Sequence, residues 1–443
     1  MKKHTYRSVE VQLFDVASLL GQIAPTSKLV VAIDVAKTKM VAVIADAQGQ
    51  ILQTVKWQQP RQTQAFVAMV QALGAAGRSV EAVMEPTGTY GDPLRDQLQR
   101  HEVPVFLAAS HFVRNLGLVY DGVPSKHDAK DAAVLAWMHS QGKTKPWPVL
   151  DEARRTLRAV VDEREIYSTP MRRTANQLEA MLARHFPELL EILDVQQRHS
   201  AWALLQTFPS PAAMLAAPAQ VHHLLRTVGR GRLPTAGERV LAAAATTAGQ
   251  PMTAGEMRLL QRLAAEMQRC AAQCALVDAE LATLTDRPAW AALRNLLGSV
   301  TLAVVIAYVG DPANYPSSAA FVKACGLNLR EHSSGTKQGK LTLTKRGPSI
   351  VRKYLHLVGL RMILRSPQMK HWYQQRGQFI ANHKVAAVVA VVRKVTAALV
   401  HVARGAAFDI HKLIDTRNFP CFAQQQAGPV TDEEYADMAL PTS

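Results

Sequence analysis

The chain has 443 residues, of which 48% are apolar, so it is long enough for two to four domains and too apolar for wholesale disorder. Lysine and arginine number 51 against 35 aspartates and glutamates, and the net charge of +16 predicts an anionic partner, most commonly nucleic acid. A basic ribosomal or membrane-surface protein shares this balance. Four cysteines argue against a disulfide framework, and Glu10 and Asp15 interrupt the N-terminal apolar stretch, so we expect a cytoplasmic protein without a signal peptide.

An α/β domain of the RNase H type is predicted over residues 28–150, after an N-terminal extension over 1–27. Three β-rich runs separated by the turn-like KTK and AQGQ indicate an antiparallel meander. The predicted elements are strands at 29–35, 40–46 and 51–57, a helix at 61–77, a strand at 79–86, a helix at GDPLRDQLQRH, a strand at VPVFLAAS and a helix at 125–142.

Four carboxylates stand out in this domain. Asp34 lies inside the first apolar strand, where burial is costly unless a cation or hydrogen bonds offset the lost hydration. Glu85 ends the fourth strand, which in this element order lies beside the first, so the two become neighbours. Asp128 and Asp131 lie three apart, on one face of a helix. The alternative is that Asp128 is an N-cap and Asp131 a charge favoured by the helix dipole.

Carboxylate oxygens in this number favour Mg²⁺ or Mn²⁺. Two such ions about 4 Å apart activate an attacking oxygen and stabilise a leaving one in phosphoryl transfer. The sequence therefore predicts a metal site that acts on phosphates.

Residues 151–287 are predicted to form a helical, coiled-coil region. A long helix starts at Asp151, and Pro170 inside it predicts a kink or a break. A helical insert follows at 202–251, and a second long helix spans 253–284. The two long helices pair as a coiled coil, with each other or with a partner chain, or else form a simple hairpin within one chain.

A third, mostly α region covers residues 288–408, and a loose tail covers 409–443. Its segment VAAVVAVVRKVTAALVHVA contains Arg393, Lys394 and His401, and it indicates a buried helix rather than a membrane span. The stretch EHSSGTKQGKLTLTKRG has the character of a basic loop. Basic residues here are predicted to contact backbone phosphates, with a solvated charged loop as the alternative; they are Arg330, Lys337, Lys340, Lys345, Arg346, Arg352 and Lys353.

The blocks IDVAKTKMVAVI, MEPTGTYGDPL and SKHDAKDAAVLA resemble the three blocks of a RuvC-like DEDD domain. GLNLREHSSGTKQGKLTLTKRGPSIVRKYL resembles the C-terminal block of the same proteins. Together they resemble the DEDD transposases of the IS110 insertion-sequence family, which is related to the Piv and MooV invertases. The N-terminal extension and the layout resemble its IS1111 branch. The resemblance runs in order from about residue 28 to about 405.

The resemblance implies an enzyme that joins a RuvC-like metal site to a serine-bearing transposase domain. On the matching positions, Asp34, Glu85, Asp128 and Asp131 bind metal, and Ser334 is the nucleophile that forms a phosphoserine link to DNA. The resemblance also implies a structured non-coding guide RNA (bridge RNA or seekRNA) that pairs with donor and target DNA. A homo-oligomer, a dimer that assembles to a tetramer, completes the implied assembly.

Several alternatives stay open. Ser333 is a rival nucleophile, and the preference for Ser334 comes from the family pattern; His332 is a candidate acid–base helper. A RuvC-like junction resolvase that uses water needs only the four carboxylates. A non-catalytic RNA-binding scaffold is the second alternative. The turn LLGSV and the 202–251 insert depart from the family pattern, which affects the helical arm rather than the site.

Overall fold

A computed structural model describes the chain at residues 7–75, 77–86, 88–122, 127–231, 235–334, 337–379 and 384–414. The chain divides into two compact units, Met1–Val149 and Leu150–Ser443.

The first unit is built on a mixed seven-stranded sheet with the order β1-β4-β3-β2-β5-β6-β7. The predicted meander is present, because β2, β3 and β4 pair antiparallel in succession, while β5 pairs parallel with β2. Two short strands, β1 and β7, were not predicted, and β1 lies in the N-terminal extension. The strands are β1 Ser8–Glu10, β2 Leu29–Asp34, β3 Lys39–Asp46, β4 Ile51–Gln58, β5 Val80–Met84, β6 Val105–Leu107 and β7 Lys145–Pro146.

Helices cover both faces of this sheet. Alternate residues of the central strands point to opposite faces, so Val31 packs in the core that contains Phe66 of α2, while Val30 packs against α5. The rings of Trp57 and Phe66 stack with centroids 3.7 Å apart. Helix α4 was not predicted. The helices are α1 Val16–Gly21, α2 Thr63–Ala75, α3 Asp92–Arg100, α4 Ser110–Asp121 and α5 Asp128–Ser140. The unit has the mixed α/β architecture of an RNase H-like fold.

The second unit contains two long helices, α6 (Glu152–His185) and α12 (Ala254–Leu284). Both helices of the one chain contribute buried residues to the same two cores along their length. Helix α6 runs through Pro170 without a break, so the predicted break is wrong. A capping box of Thr253 and Glu256 starts α12. Between them, the predicted helical insert consists of α7 Glu188–Ile192, α8 His199–Thr207, α9 Pro211–Ala216, α10 Pro218–Val228 and α11 Ala236–Ala245.

The rest of this unit is mostly helical. Its core also takes in Leu157 of α6 and Leu281 of α12. A hairpin of β8 and β9 is present where the sequence indicated only a basic loop. Gly298 (φ 79°) makes the predicted turn between two helices. The elements are α13 Ala291–Leu297, α14 Ser299–Tyr308, α15 Ser318–Ala324, β8 Leu329–Ser334, β9 Lys337–Leu343, α16 Ser349–Arg365, α17 Pro367–Phe379 and α18 Lys384–Ala403.

Helix α18 is the predicted buried helix. Its segment Val385–Ala403 is long and apolar enough to cross a bilayer, and half of it is buried inside the protein. Val391, Val395 and Leu399 are at most 1% exposed and belong to the core of the second unit. The apolar face of this helix is therefore used in packing.

Candidate functional site

Two of the four predicted carboxylates lie at the carboxyl ends of two adjacent inner strands of the sheet. Asp34 is the last residue of β2, and Glu85 directly follows β5. The two strands run parallel with Ile33 opposite Met84, so the register brings together the residue that follows in each strand. Both residues are half-buried. The expected adjacency of Asp34 and Glu85 thus follows from the strand pairing.

The same two residues belong to the face of the sheet that α5 covers. Side chains alternate along a strand, so Asp34 shares a face with Ala32, and Glu85 shares a face with Val83. Ala32 and Val83 pack in one buried cluster with Ala132 and the following turns of α5. The sheet therefore offers its two carboxylates on the side of the helix that carries the other two.

Helix α5 begins with the other two carboxylates. The N-cap is His127, whose Nδ1 accepts a hydrogen bond from the backbone N–H of Lys130 at 3.1 Å, so the alternative that Asp128 is the cap is wrong. Asp128 and Asp131 both lie in the first turn, where the helix dipole favours negative charge. Asp128 is exposed and Asp131 is half-buried.

A buried ion pair, which the sequence analysis missed, lies beside these aspartates. The Lys130 ammonium is 2.7 Å from Oδ1 of Asp121, and the two side chains are 3% and 5% exposed. The pair joins the last residue of α4 to the first turn of α5. The only sequence signal is one lysine among the alanines of a buried helical face.

A second polar cluster fastens the opposite end of α5. His139 Nε2 lies 2.7 Å from Oε2 of Glu81, and its Nδ1 lies 2.7 Å from the Thr144 hydroxyl. Lys28 is 2.8 Å from the same carboxylate. Burial raises the pKa of Glu81, but hydrogen bonds from Lys28 and His139 outweigh it and hold that pKa below its usual value. Helix α5 is thus held to its surroundings by charged groups near both ends.

The donor chemistry of the four carboxylates fits a hard divalent cation. In the part of the chain that the structure describes, no three histidine, cysteine, aspartate or glutamate side chains are grouped closely enough to hold a metal ion. Mg²⁺ is commonly held by only one or two carboxylates, with water and substrate phosphates completing its coordination. The arrangement therefore matches a site that substrate completes rather than a closed protein cage.

The predicted nucleophile lies at the tip of the β8–β9 hairpin. The backbone of Ser334 ends β8 and pairs with Lys337, and the register is irregular between His332 and Ser334. Gly335 lies outside the described residues. The side chains of His332, Ser333, Ser334, Lys337 and Lys340 are also outside them, so the choice between the two serines and the role of His332 stay predictions.

The basic residues of this region fall into two groups. Arg330, Lys345 and Arg346 are exposed, and the Arg330 Nε donates to the Thr342 hydroxyl across the hairpin at 3.2 Å. Arg352 is half-buried and donates to backbone carbonyls of the turn before α16.

Lys353 also has a protein partner, because its ammonium lies 2.8 and 3.1 Å from the two oxygens of Glu165 on α6. Tyr354 donates to the same carboxylate at 2.7 Å and accepts from Arg164, which is paired with Asp278 of α12. Burial, followed by the bond to Glu165, raises the pKa of Tyr354. Arg352 and Lys353 were predicted to contact phosphate, but the structure engages both within the protein.

Comparison with known proteins gives two family matches. A model of the DEDD domain of IS110 elements, described as "Transposase", matches residues 31–187. A second, described as "Transposase IS116/IS110/IS902 family", matches residues 297–374. The chain is also similar to a 43.6 kDa protein of insertion element IS110 from Streptomyces coelicolor, at 25% identity over 284 residues, which cover 60% of this chain and 67% of that protein. The first match contains all four carboxylates, and the second contains Ser334 and the basic turn.

Proposed function

Because this chain is a transposase of the IS110 family, we propose that it cuts and exchanges DNA strands with a two-part active site. The first part is the carboxylate set Asp34, Glu85, Asp128 and Asp131, and the second is the hydroxyl of Ser334. The observation that carries the proposal is the β2–β5 register, which puts Asp34 beside Glu85 on the face that α5 covers.

The carboxylates would hold a divalent cation, Mg²⁺ or Mn²⁺, which when bound offsets phosphate charge and favours an attacking oxygen. A serine hydroxyl is a weak nucleophile until it is activated. In the proposed step, Ser334 Oγ loses its proton and bonds to the scissile phosphorus, the bond from phosphorus to the 3′ oxygen breaks, and that oxygen takes up a proton. The hydroxyl of the exchanged strand then reverses the step and restores serine. One phosphodiester replaces another, so no ATP is required.

The exposed basic residues support a nucleic-acid partner for this chemistry. Arg330, Lys345 and Arg346 would neutralise backbone phosphates and set the position of the DNA rather than read its bases. We extend the proposal to the finer features that the family resemblance implies: membership of the IS1111 branch, a structured guide RNA that pairs with donor and target DNA, and a dimer that assembles to a tetramer.

A covalent-adduct assay tests the mechanism. Purified chain, guide RNA and Mg²⁺ are incubated with end-labelled donor and target DNA, and protein–DNA adducts are resolved under denaturing conditions. We expect Ser334→Ala to lose both the adduct and strand exchange, and Ser333→Ala, the matched control, to keep them. Normal exchange by Ser334→Ala would refute the serine mechanism. Cleavage without an adduct in the wild type would favour the water-dependent nuclease, and full exchange by Asp34→Asn would refute the carboxylate site.

A further inference from the structure

The turn at residues 344–347, between β9 and α16, presents two of the exposed basic residues. Its ends are fixed, since the Thr344 N–H donates to the Asn328 carbonyl at 2.8 Å and the Gly347 N–H donates to the Lys345 carbonyl at 3.1 Å. Lys345 has φ of 54°, in the left-handed region that non-glycine residues seldom adopt. A lysine holds such a conformation only where its surroundings over-determine it.

Arg352, in the first turns of α16, supplies that constraint. Its Nη1 donates to the Lys345 carbonyl at 3.2 Å and to the Gly347 carbonyl at 2.6 Å. These carbonyls belong to the residues before and after Arg346, so one guanidinium binds the backbone on both sides of that exposed residue. The guanidinium presents a rigid planar set of donors, whereas a lysine ammonium is a single point on a flexible stem.

The same guanidinium is packed against the backbone. A Cβ added at Gly326 would lie 2.7 Å from Arg352 Nη1, and one added at Gly347 would lie 2.6 Å from the backbone nitrogen of Gly326. Gly326 itself has φ of 74°. The two glycines therefore let the turn and the preceding loop touch, with Arg352 filling the remaining space. This close packing leaves Arg352 half-buried while Lys345 and Arg346 stay exposed.

We infer that Arg352 is a positioning residue: it holds the 344–347 turn in the conformation that aims Lys345 and Arg346 at the backbone phosphates of DNA, and it does not bind phosphate itself. The inference rests on the proposed function, because it assumes that this turn contacts nucleic acid. It corrects the interpretation of Arg352 as a phosphate contact.

Affinity for a labelled duplex carrying an element end, measured with the full chain at several salt concentrations, tests this role. Arg352→Lys keeps the positive charge but replaces the planar guanidinium, which is packed against Gly326, with a flexible stem that ends in a single point charge. We therefore expect Arg352→Lys and Arg352→Gln to weaken binding by about tenfold each, the scale of one charged hydrogen bond. If Arg352→Lys binds as the wild type does, while Arg352→Gln alone loses affinity and its salt slope falls by about 0.9, Arg352 contacts phosphate and the inference is overturned.

Hydrogen exchange of the turn gives a second readout that does not depend on DNA. The Gly347 amide donates within the turn, so its protection should fall in both Arg352 variants, while thermal unfolding of the whole chain reports any general loss of structure. Unchanged protection would overturn the inference. The exposed control Arg346→Lys should keep the protection.

A further variant separates the turn from the chemistry. Lys345→Gly tolerates the left-handed conformation and removes one charge, so we expect a salt slope lower by about 0.9 with the turn intact. An unchanged slope would overturn the inference, because the turn would then not contact phosphate. Adduct formation at Ser334 reports on the proposed mechanism independently of either outcome.

Discussion

The buried pair of Lys130 and Asp121 gives a sharp test of how α5 is held. Replacing Lys130 with methionine keeps a long apolar stem and removes the ammonium. Asp121 would then be a carboxylate with a 5% exposed side chain and without its cation partner at 2.7 Å. Both groups border the first turn that carries Asp128 and Asp131, so the effect falls on the proposed metal-binding helix.

The magnitude follows from burial rather than from distance. Removing one partner of a buried pair costs about 3–5 kcal/mol, because the remaining charge is left uncompensated. Arg100 and Asp96 form a pair at the same 2.7 Å, but their side chains are 75% and 49% exposed. Exposed pairs contribute little because water and salt screen them. Lys130→Met and Arg100→Met therefore compare a buried pair with an exposed one of matched length.

Hydrogen exchange on the full chain measures the difference locally. A loss of about 3 kcal/mol corresponds to exchange faster by about 100-fold in peptides from α5, at roughly 1.4 kcal/mol per tenfold. For Arg100→Met we expect less than about a fivefold change in peptides from α3. The double variant Lys130→Met/Asp121→Asn should recover most of the loss, since the buried carboxylate charge is gone.

Two results would refute this reasoning. If α5 in Lys130→Met exchanges within about fivefold of the wild type, the pair contributes no more than an exposed one. If the double variant exchanges as fast as Lys130→Met alone, the cost is lost packing of the lysine stem rather than the buried carboxylate charge.

Two other predictions concern pH and packing. Burial raises the pKa of Glu81, but hydrogen bonds from Lys28 and His139 hold that pKa below its ordinary value of 4.5. Because the pKa is lower in the folded state, the ionised Glu81 stabilises the fold above its ordinary pKa, and this stabilisation is lost as the pH falls through the folded-state pKa. The difference in free energy of unfolding between wild type and Glu81→Gln should therefore shrink as the pH falls below about 5, and a pH-independent difference would contradict it. Gly249→Ala should destabilise by about 1–3 kcal/mol because its Cβ would overlap a backbone carbonyl of α6. Gly74 lies in α2, where an added Cβ would meet only Val80 at 4.0 Å, so Gly74→Ala should be neutral or stabilising by up to about 1 kcal/mol. Denaturant melts of both variants check the contrast.

The first unit was largely predictable because its central strands are nearly continuous apolar runs bounded by turn-like residues. These runs locate β2, β3 and β5, and the parallel pairing of β2 with β5 then brings Asp34 to Glu85. Of the elements that were missed, β1 and β7 carry little periodic signal because they have only three and two residues. The β8–β9 hairpin was missed for another reason, since its lysines and serines are typical of a loop.

Pro170 shows where local propensity loses to packing. A proline inside a helix removes one hydrogen bond and crowds the carbonyl four residues before it. Pro170 is exposed, so water can bond the carbonyl that is freed. On either side of it, Leu157 and Leu178 are at most 1% exposed in two different cores. Burial of both halves keeps α6 continuous, and the sequence of the helix alone does not indicate which cores bury them.

The basic residues of the C-terminal region show the same limit for the site. Composition counts Arg346, Arg352 and Lys353 as equal positive charges, yet only Arg346 is exposed, while Arg352 binds the turn and Lys353 pairs with Glu165. A count from sequence therefore does not distinguish the exposed residue from the two that are bonded within the protein. The inward-facing pair links the basic turn to α6 through consecutive residues of α16. Positive charge near a predicted nucleic-acid interface thus also serves contacts inside the protein, and composition treats both uses alike.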